Sequence, residues 1–361
     1  MKILIDLTSL ADNFSGIERF AMSMALYMID DTANRYVLVF KNDVHEAFAH
    51  VADRENVETV VLKGGNKLLF NQLILPLGLY RQKADVYFFP AFPEPVLFWN
   101  RHMVTTIHDL GCWDCGEAMT TLSKWYFRLS YRKSMALCEK LITVSEFSKS
   151  RIARLGHVSP ERIHVVYNGV SEQFFSGSAP DENLRQKYNL PESYYLCLST
   201  LEPRKNLQLL VKAYEALILE GNDLPSLVLA GRKGWKMDNF LEGVAPQVVD
   251  KLHFTGFVDD DDLPAIYAGA KLFVFPSKYE GFGIPPLEAM AAGCPVLSSD
   301  AASLPEVLGE AACYFESENL ESLKLALIES LNVQKNDSVQ ARARCFSWSN
   351  EAAKLLNVLI S

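Results

Sequence analysis

The sequence has no apolar run near the roughly 20 residues that a membrane-spanning helix needs, so no transmembrane segment is expected. It also lacks a disulfide framework. Its seven cysteines are odd in number and scattered, the usage of a reducing cytoplasm. Cys112 and Cys115 form a C-x-x-C, but no second pair lies at zinc-finger spacing and no thioredoxin-like helix start follows. Neither a zinc site nor a redox pair is expected there. Positive charge is in deficit: 35 Lys and Arg against 44 Asp and Glu leave −9. That balance argues against broad nucleic-acid binding and leaves room only for local basic patches. The opening M-K-I-L-I-D-L is too short an apolar run for a signal peptide, and Asp6 interrupts it, so it reads as a strand. What is present is ordinary for a soluble protein, 49% hydrophobic and 22% charged, and 361 residues suit two domains.

The N-terminal half alternates strands and helices. Strand Lys2–Leu7 is followed by a polar loop ending at Gly16, then by apolar residues at helical spacing through Ile17–Ile29. One glycine is weak ground for a nucleotide site. Further strands are expected at Tyr36–Phe40, Thr59–Leu62, Val86–Phe89 and Met103–Ile107. The last delivers His108 and Asp109 to the C-terminal edge of a parallel sheet, where ligands bind. Thr121–Lys140 reads as an amphipathic helix with Lys124, Arg128 and Arg132 four apart, interleaved with Trp125, Tyr126, Phe127 and Tyr131. Such a helix suits an anionic bilayer, or is a solvated basic stripe with its aromatics packed inward. Strand Leu141–Val144 precedes a helix capped by Ser145. Another strand closes on Asn168-Gly169, and the Ser-, Gly-, Asp- and Pro-rich stretch after it is a linker candidate.

A second alternation starts at strand Tyr194–Ser199. Arg204 and Lys205 follow in a strand-to-helix loop before helix Leu207–Leu219, placed to meet phosphate charge. Strand Leu227–Ala230 leads to Arg232 and Lys233, a weaker candidate cradle. Asp259–Asp262 directly precedes L-P-A-I-Y-A-G-A with Pro264 in the first turn, so these aspartates are expected as helix caps and not metal ligands.

The most informative stretch runs from Leu272 to Pro295. A buried strand, Leu272–Phe275, leads into a loop with Gly281 and Gly283, then Pro285, Pro286 and a helical run from Leu287 that Gly293 ends. The backbone amides of Gly281, Phe282 and Gly283 can turn toward a phosphate at a helix N-terminus. Glu280 and Glu288 sit eight positions apart, and a carboxylate such as Glu288 can accept both hydrogen bonds of a ribose diol. Together they predict a nucleotide-diphosphate site.

Taken in order across both halves, S-G-I-E-R-F, T-I-H-D-L, V-S-E-F-S, V-Y-N-G-V, L-E-P-R-K-N, F-T-G-F-V, the Glu280–Glu288 stretch, S-L-P-E-V and F-S-W resemble the retaining glycosyltransferases of family 4 almost end to end. The resemblance implies an α/β architecture of the GT-B type, two Rossmann-like domains with parallel sheets facing across a cleft. Residues 1–170 would form the acceptor domain, 171–185 a linker, 186–345 the nucleotide-sugar donor domain, and 346–361 a final helix crossing back to the N-terminal domain.

The same resemblance implies roles. Glu280 would bind the donor sugar and Glu288 the ribose, with Phe282 and Gly283 giving amides to sugar and phosphate, and Gly281 and Ile284 beside them. Lys205, with Arg204, would neutralise the departing diphosphate. His108 would touch the donor sugar, while Gly16 and Asp109 would line the acceptor side. Many members carry Gly-Arg upstream of the lysine. Here that place reads Leu198-Ser199, so Arg204 or Arg232 must supply the diphosphate arginine. No cofactor and no metal are implied, the nucleotide sugar being a substrate. No carboxylate nucleophile stands out, so same-face substitution is expected, with the departing phosphate helping to deprotonate the acceptor hydroxyl. The L-E-P-R-K-N and E-G-F-G-I-P-P-L-E variants resemble mannosyltransferases of O-antigen or capsule assembly. GDP-mannose is therefore the first expectation for the donor, with UDP-glucose or another UDP-hexose next. The acceptor would be a glycan or lipid-linked glycan, and the protein cytoplasmic, with the Thr121–Lys140 helix as a peripheral contact to the inner face of the plasma membrane. A glycosyl phosphorylase, a nucleotide-sugar epimerase and a non-catalytic glycan-binding subunit are the competing readings. The presence of His108, Lys205 and Glu288 together weighs against the last.

Overall fold

A computed structural model describes residues 1–10, 15–115, 119–199, 202–232, 241–333, 335 and 337–361. Among them, short apolar runs form thirteen strands in two sheets, and every pairing is parallel. The chain divides into two compact units, Met1–Gly169 with Ser347–Ser361, and Val170–Phe346.

The first unit holds strands β1 (Lys2–Asp6), β2 (Arg35–Lys41), β3 (Val57–Leu62), β4 (Val86–Phe89), β5 (Met103–Thr106), β6 (Lys140–Thr143) and β7 (Ile163–Val165). Their spatial order is β3-β2-β1-β4-β5-β6-β7, with Leu4 opposite Val37 and Tyr87 opposite Met103. All four residues of β4 and of β5 are buried, the unbroken burial that a parallel sheet covered on both faces requires. Leu4, Val37, Tyr87, Phe89, Met103, Leu141 and Ile163 build one core with helix residues such as Leu79, Tyr131 and Ile152.

The final helix, Trp348–Ile360, belongs to this unit. Trp348 meets Phe20 at 6.4 Å between rings, Glu351 accepts from the Tyr167 amide at 2.9 Å, and Lys140 Nζ donates to the Val358 carbonyl at 2.7 Å. Gly169 makes the close approach possible. A Cβ there would lie 2.3 Å from the Trp348 backbone nitrogen.

The second unit holds β8 (Tyr194–Leu198), β9 (Ser226–Ala230), β10 (Leu252–Gly256), β11 (Leu272–Phe275), β12 (Val296–Ser299) and β13 (Cys313–Phe315), ordered β10-β9-β8-β11-β12-β13. Tyr195, Leu207, Leu210, Val211, Tyr214, Leu227, Val274, Leu297, Leu323 and Leu327 share its core. Strand order reverses between β1 and β4 in the first sheet and between β8 and β11 in the second. At such a switch the connections leave in opposite directions, which opens a crevice beyond the carboxyl ends of the strands.

Several expectations need correction. The stretch 171–185, read as a linker, carries a turn of 3₁₀ helix at Glu172–Ser176 and the start of helix Glu182–Tyr188, all within the second unit. Phe174 is buried against Tyr267, so this segment is packed by its own apolar residue. The helix expected at Thr121–Lys140 ends at Leu137, and Lys140 begins β6. The helix expected from Leu287 starts at Ile284, with Pro285 and Pro286 in its first turn, where a missing N–H costs nothing. The edge strands β10 and β13 were not foreseen, because half-buried edges carry no apolar run. The helical segment Lys67–Gln82 was also missed, because its apolar residues surround the axis and show no clean period.

Candidate active site

In the second unit, the carboxyl ends of β8 and β11 converge on one buried charge cluster. After β8, Pro203–Lys205 forms a single 3₁₀ turn that ends on Asn206 at φ 56°, and helix Leu207–Leu219 follows. After β11, residues 276–283 turn back across it. The Lys278 amide donates to the Arg204 carbonyl at 2.9 Å, tying the two loops together. The two residues preceding Glu202 lie outside the described set.

Glu280 is the centre. Its carboxylate accepts from Lys205 Nζ at 2.6 Å, Ser277 Oγ at 2.6 Å and Arg204 Nη1 at 3.1 Å. Burial alone would raise its pKa, but Lys205 and Arg204, with the hydrogen bonds from Lys205 and Ser277, overrule burial and hold the carboxyl at about 2. Lys205 is pulled below the ordinary lysine value. Burial leads, Glu280 opposes it, and the neighbouring Arg204 adds to it. For the lysine, burial and Arg204 together outweigh Glu280, whereas for the carboxylate the two cations outweigh burial. Glu280 is therefore a fixed anion and not a proton carrier.

Arg204 is more committed than the sequence suggested. Nη1 also donates to the Tyr279 carbonyl at 2.8 Å, and Nη2 reaches Glu202 at 2.9 Å. A guanidinium engaged by two carboxylates and a carbonyl fastens one loop to the other. The reading of Arg204 as a cation aimed at diphosphate is revised on this geometry: its fork is spent on protein oxygens. Glu202 received no role in the sequence reading, although it stood inside L-E-P-R-K-N, because a carboxylate beside two cations looks like surface charge.

The glycine loop is held from below. Ser303 Oγ lies 2.9 Å and 3.1 Å from the carbonyls of Glu280 and Phe282. Gly283 sits at φ 104°, a conformation only glycine adopts without strain, and caps helix Ile284–Ala291. Ile284 is the first helical residue and half-buried. Glu288 lies one turn on, buried to 4% exposure, with Tyr267 Oη donating to it at 3.2 Å. Its expected place in the first turn shifts to the second because the helix begins earlier.

Arg232 follows β9 at the same sheet edge, its guanidinium 4.3 Å from the centre of the Phe257 ring. Gly231 precedes it at φ 133°, its Cα so close to the Ser199 carbonyl that a Cβ would lie 2.0 Å from that oxygen. Lys233 lies outside the described residues. Asp262 occupies the N-cap position of helix Leu263–Gly269, but its carboxylate does not cap. Asp259 and Asp262 both accept from Lys187 Nζ, at 2.8 Å and 2.7 Å, and from Tyr188 Oη.

In the first unit, His108 stands just beyond β5 and is buried to 6% exposure. Its Nε2 lies 2.8 Å from the Pro90 carbonyl and so carries the proton, leaving Nδ1 as the acceptor nitrogen. Phe20 meets the ring edge-on at 5.0 Å. Burial lowers the pKa, against smaller opposing effects from the Pro90 carbonyl, Asp109 and Glu18, so the ring is neutral at pH 7. Asp109 is a turn former here, accepting from the Gly111 amide at 2.8 Å. Gly16 opens helix Gly16–Met28, whose N-cap Ser15 donates its amide to Glu18 at 2.7 Å, and the loop residues 11–14 before it lie outside the described set.

A positioning network missed in the sequence lies behind His108. Glu94, fully buried in the proline loop, accepts from Thr105 Oγ1 at 2.8 Å and Ser134 Oγ at 2.7 Å, with Lys133 Nζ at 3.5 Å. Lys133 also donates to the carbonyls of Pro95 and Phe98, both at 2.7 Å. These bonds anchor the loop that supplies the Pro90 carbonyl. An acidic residue between two prolines gave no signal of burial.

The comparisons with known proteins agree with this layout. Residues 14–174 match the Glycosyltransferase Family 4 model, and residues 180–345 match Glycosyl transferases group 1. The chain is 35% identical over 289 residues to O-antigen chain mannosyltransferase B of Escherichia coli, covering 76% of this chain and 74% of that one. It is 32% identical over 240 residues to the serotype-specific mannosyltransferase WbdA of Escherichia coli, covering 63% of this chain but only 29% of that longer protein. In fold it is similar to Anabaena HepE, solved with UDP and glucose, at TM-score 0.73 and 17% identity over 99% of both chains. With two family models spanning nearly the whole chain and a relative matched over three-quarters of both sequences, this chain belongs to glycosyltransferase family 4 and is a glycosyltransferase of the GT-B fold.

Proposed function

We propose that this glycosyltransferase moves mannose from GDP-mannose, with retention, to a glycan or lipid-linked glycan during O-antigen, capsule or exopolysaccharide assembly. The observation that carries the site is the Lys205–Glu280–Arg204 cluster, centred on the buried Glu280, beside the Gly281–Gly283 loop and Glu288, at the carboxyl-end switch of the second sheet. The choice of sugar rests on the two named relatives, both mannosyltransferases, and the choice of pathway on the first of them, an O-antigen chain mannosyltransferase.

In this reading Lys205 balances the negative charge that grows on the departing diphosphate. An ammonium has three donors, and Glu280 takes one of them. Glu280 orients that ammonium and accepts from a donor-sugar hydroxyl. Glu288 accepts from the ribose diol, and the Phe282 and Gly283 backbone at the helix N-terminus faces sugar and phosphate. Arg204 positions the loop, and Arg232 is assigned to the diphosphate. His108 presents Nδ1 to a donor-sugar hydroxyl, and Gly16 and Asp109 belong to the acceptor side. Lys and Arg at the diphosphate make a metal dispensable, and no cofactor is assigned.

Among the described residues, no helix is long and apolar enough to cross a membrane. We place the enzyme at the cytoplasmic face of the plasma membrane, held peripherally through the helix beginning at Thr121. Incubation of a mannoside acceptor with GDP-mannose, UDP-glucose or UDP-galactose in turn, with and without EDTA, tests these readings through the nucleotide released and the anomeric configuration of the product. Release from GDP-mannose alone, unaffected by EDTA and with the donor's anomeric configuration kept, is expected. Turnover of a UDP-hexose instead would replace the mannose assignment. No release and no thermal stabilisation by GDP or UDP would overturn the donor site.

A further inference from the structure

The first unit exposes an unusual amount of apolar surface on three neighbouring segments. Helix Thr121–Leu137 buries Ser130, Tyr131, Ser134 and Met135 and turns Leu122, Trp125 and Leu129 outward, at 83%, 62% and 64% exposure. This is the reverse of the usual amphipathic arrangement, in which the leucines face the core. The segment Lys67–Gln82 does the same. Leu69, Leu73, Leu77 and Tyr80, spaced four, four and three apart, share one face and are about half exposed, while Phe70, Leu75 and Leu79 are buried. Between them lies the loop of Val96, Leu97 and Trp99, the last two 58% exposed.

The three segments are bonded into one surface. The Val96 amide donates to Gln72 at 3.1 Å, and the Trp99 amide donates to Tyr80 Oη at 3.0 Å. Lys133, from the helix starting at Thr121, holds the loop carbonyls of Pro95 and Phe98, and Phe92 lies 6.2 Å from Phe127. Exposed leucine and tryptophan side chains on segments bonded to one another in this way mark an interaction site.

Charge decides the partner. In a chain of net charge −9, residues 62–84 contain four Lys and Arg and no acid, and residues 119–138 contain four and no acid. Arg81, Lys83, Arg101 and Arg132 are exposed, and among the described residues no ion pair engages them. Leucine and tryptophan ringed by unpaired cations, against the sign of the whole chain, complement an apolar layer beneath anionic headgroups.

We propose that Lys67–Gln82, the Val96–Trp99 loop and helix Thr121–Leu137 form one composite face that seats this enzyme on an anionic bilayer, with Leu73, Leu77, Leu97, Trp99, Trp125 and Leu129 entering the headgroup boundary. This rests on the peripheral-membrane reading above and extends it from one helix to three segments. It also revises that helix. Arg128 is not a headgroup contact, because its Nε donates to the Cys112 carbonyl at 2.8 Å.

The test is co-sedimentation of the full chain with vesicles of phosphatidylcholine alone or mixed with phosphatidylglycerol, each variant first shown to melt like wild type. Wild type is expected to pellet with the anionic vesicles only. Leu73→Glu with Leu77→Glu, and separately Leu97→Ser with Trp99→Ser, should each lower the partition coefficient by at least about tenfold, since each removes two inserted apolar side chains. If both pairs bind like wild type while Trp125→Ser with Leu129→Ser does not, the single-helix reading stands and the composite face is wrong. If wild type fails to pellet, both readings fall. If wild type stays in the supernatant as a dimer that Leu73→Glu with Leu77→Glu dissociates, the face belongs to a second copy and the bilayer assignment is overturned.

Discussion

Replacing Glu280 with Gln removes one negative charge from the middle of the cluster it forms with Lys205, Arg204 and Ser277 and leaves its shape. Glu280 is 8% exposed and holds Lys205 at 2.6 Å and Arg204 at 3.1 Å. Its carboxyl sits at about 2 in the folded protein against an ordinary value of 4.5. A gap of that size corresponds to ~3 kcal/mol of stability at pH 7, within the ~3–5 kcal/mol typical of breaking a buried ion pair from one side. The sign follows from proton counts. Between about pH 4.5 and pH 2 the unfolded chain holds the proton and the folded chain does not, so this stabilisation is complete above pH 4.5 and drains away as pH falls toward 2. Urea denaturation of wild type and Glu280→Gln at pH 7 and pH 3.5 measures it. The variant should be ~3 kcal/mol less stable at pH 7, and the difference should narrow by ~1 kcal/mol at pH 3.5. A difference under ~1 kcal/mol at pH 7, or one that does not change with pH, would refute the argument that buried Glu280 is held ionised by two partly buried cations. Nucleotide release should be lost as well, because Lys205 is left without its orienting anion.

Glu288→Ala should weaken GDP binding by ~10- to 100-fold, the loss expected for hydrogen bonds to a buried carboxylate, and calorimetry showing unchanged GDP and UDP affinity would remove it from the ribose. The His108 ring should titrate below 6.5 by NMR, because burial opposes its charge, and the rate should stay level as pH falls through 6.5; a midpoint at or above 6.5 would contradict the buried Nε2–H assignment. Gly231→Ala should raise the donor KM and lower the melting temperature, since its Cβ would collide with the Ser199 carbonyl at a φ of 133° that alanine does not tolerate; wild-type values for both would show that the β8 and β9 ends have room to move. Glu94→Ala should destabilise the first unit by ~3 kcal/mol by leaving Lys133 without its buried partner, and a loss under ~1 kcal/mol in urea would mean that the Pro95 and Phe98 carbonyls suffice.

The sequence by itself determined the alternation of strands and helices, the parallel sheets and the glycine loop at Gly281–Gly283, and it singled out Lys205, Glu280, Glu288 and His108 as candidates, of which the structure joins Lys205 and Glu280 in one charge cluster. These were legible because they depend on local patterns: short buried strands, a positive-φ glycine, prolines at a helix start. Edge strands β10 and β13 escaped, since a strand covered on one side has no unbroken apolar run. The tertiary structure decided what each charged group is for. Arg204 and Lys205 are adjacent in the chain and look equivalent, but the loop after β11 brings Tyr279, Glu280 and Ser277 from about 75 positions away, a span over which local patterning predicts no contact. That loop absorbs the Arg204 fork and leaves Lys205 with donors to spare. Likewise Glu94 and Lys133 became one ion pair only through packing. Charge and hydrophobicity are written residue by residue, but their meaning depends on which partner removes them from water.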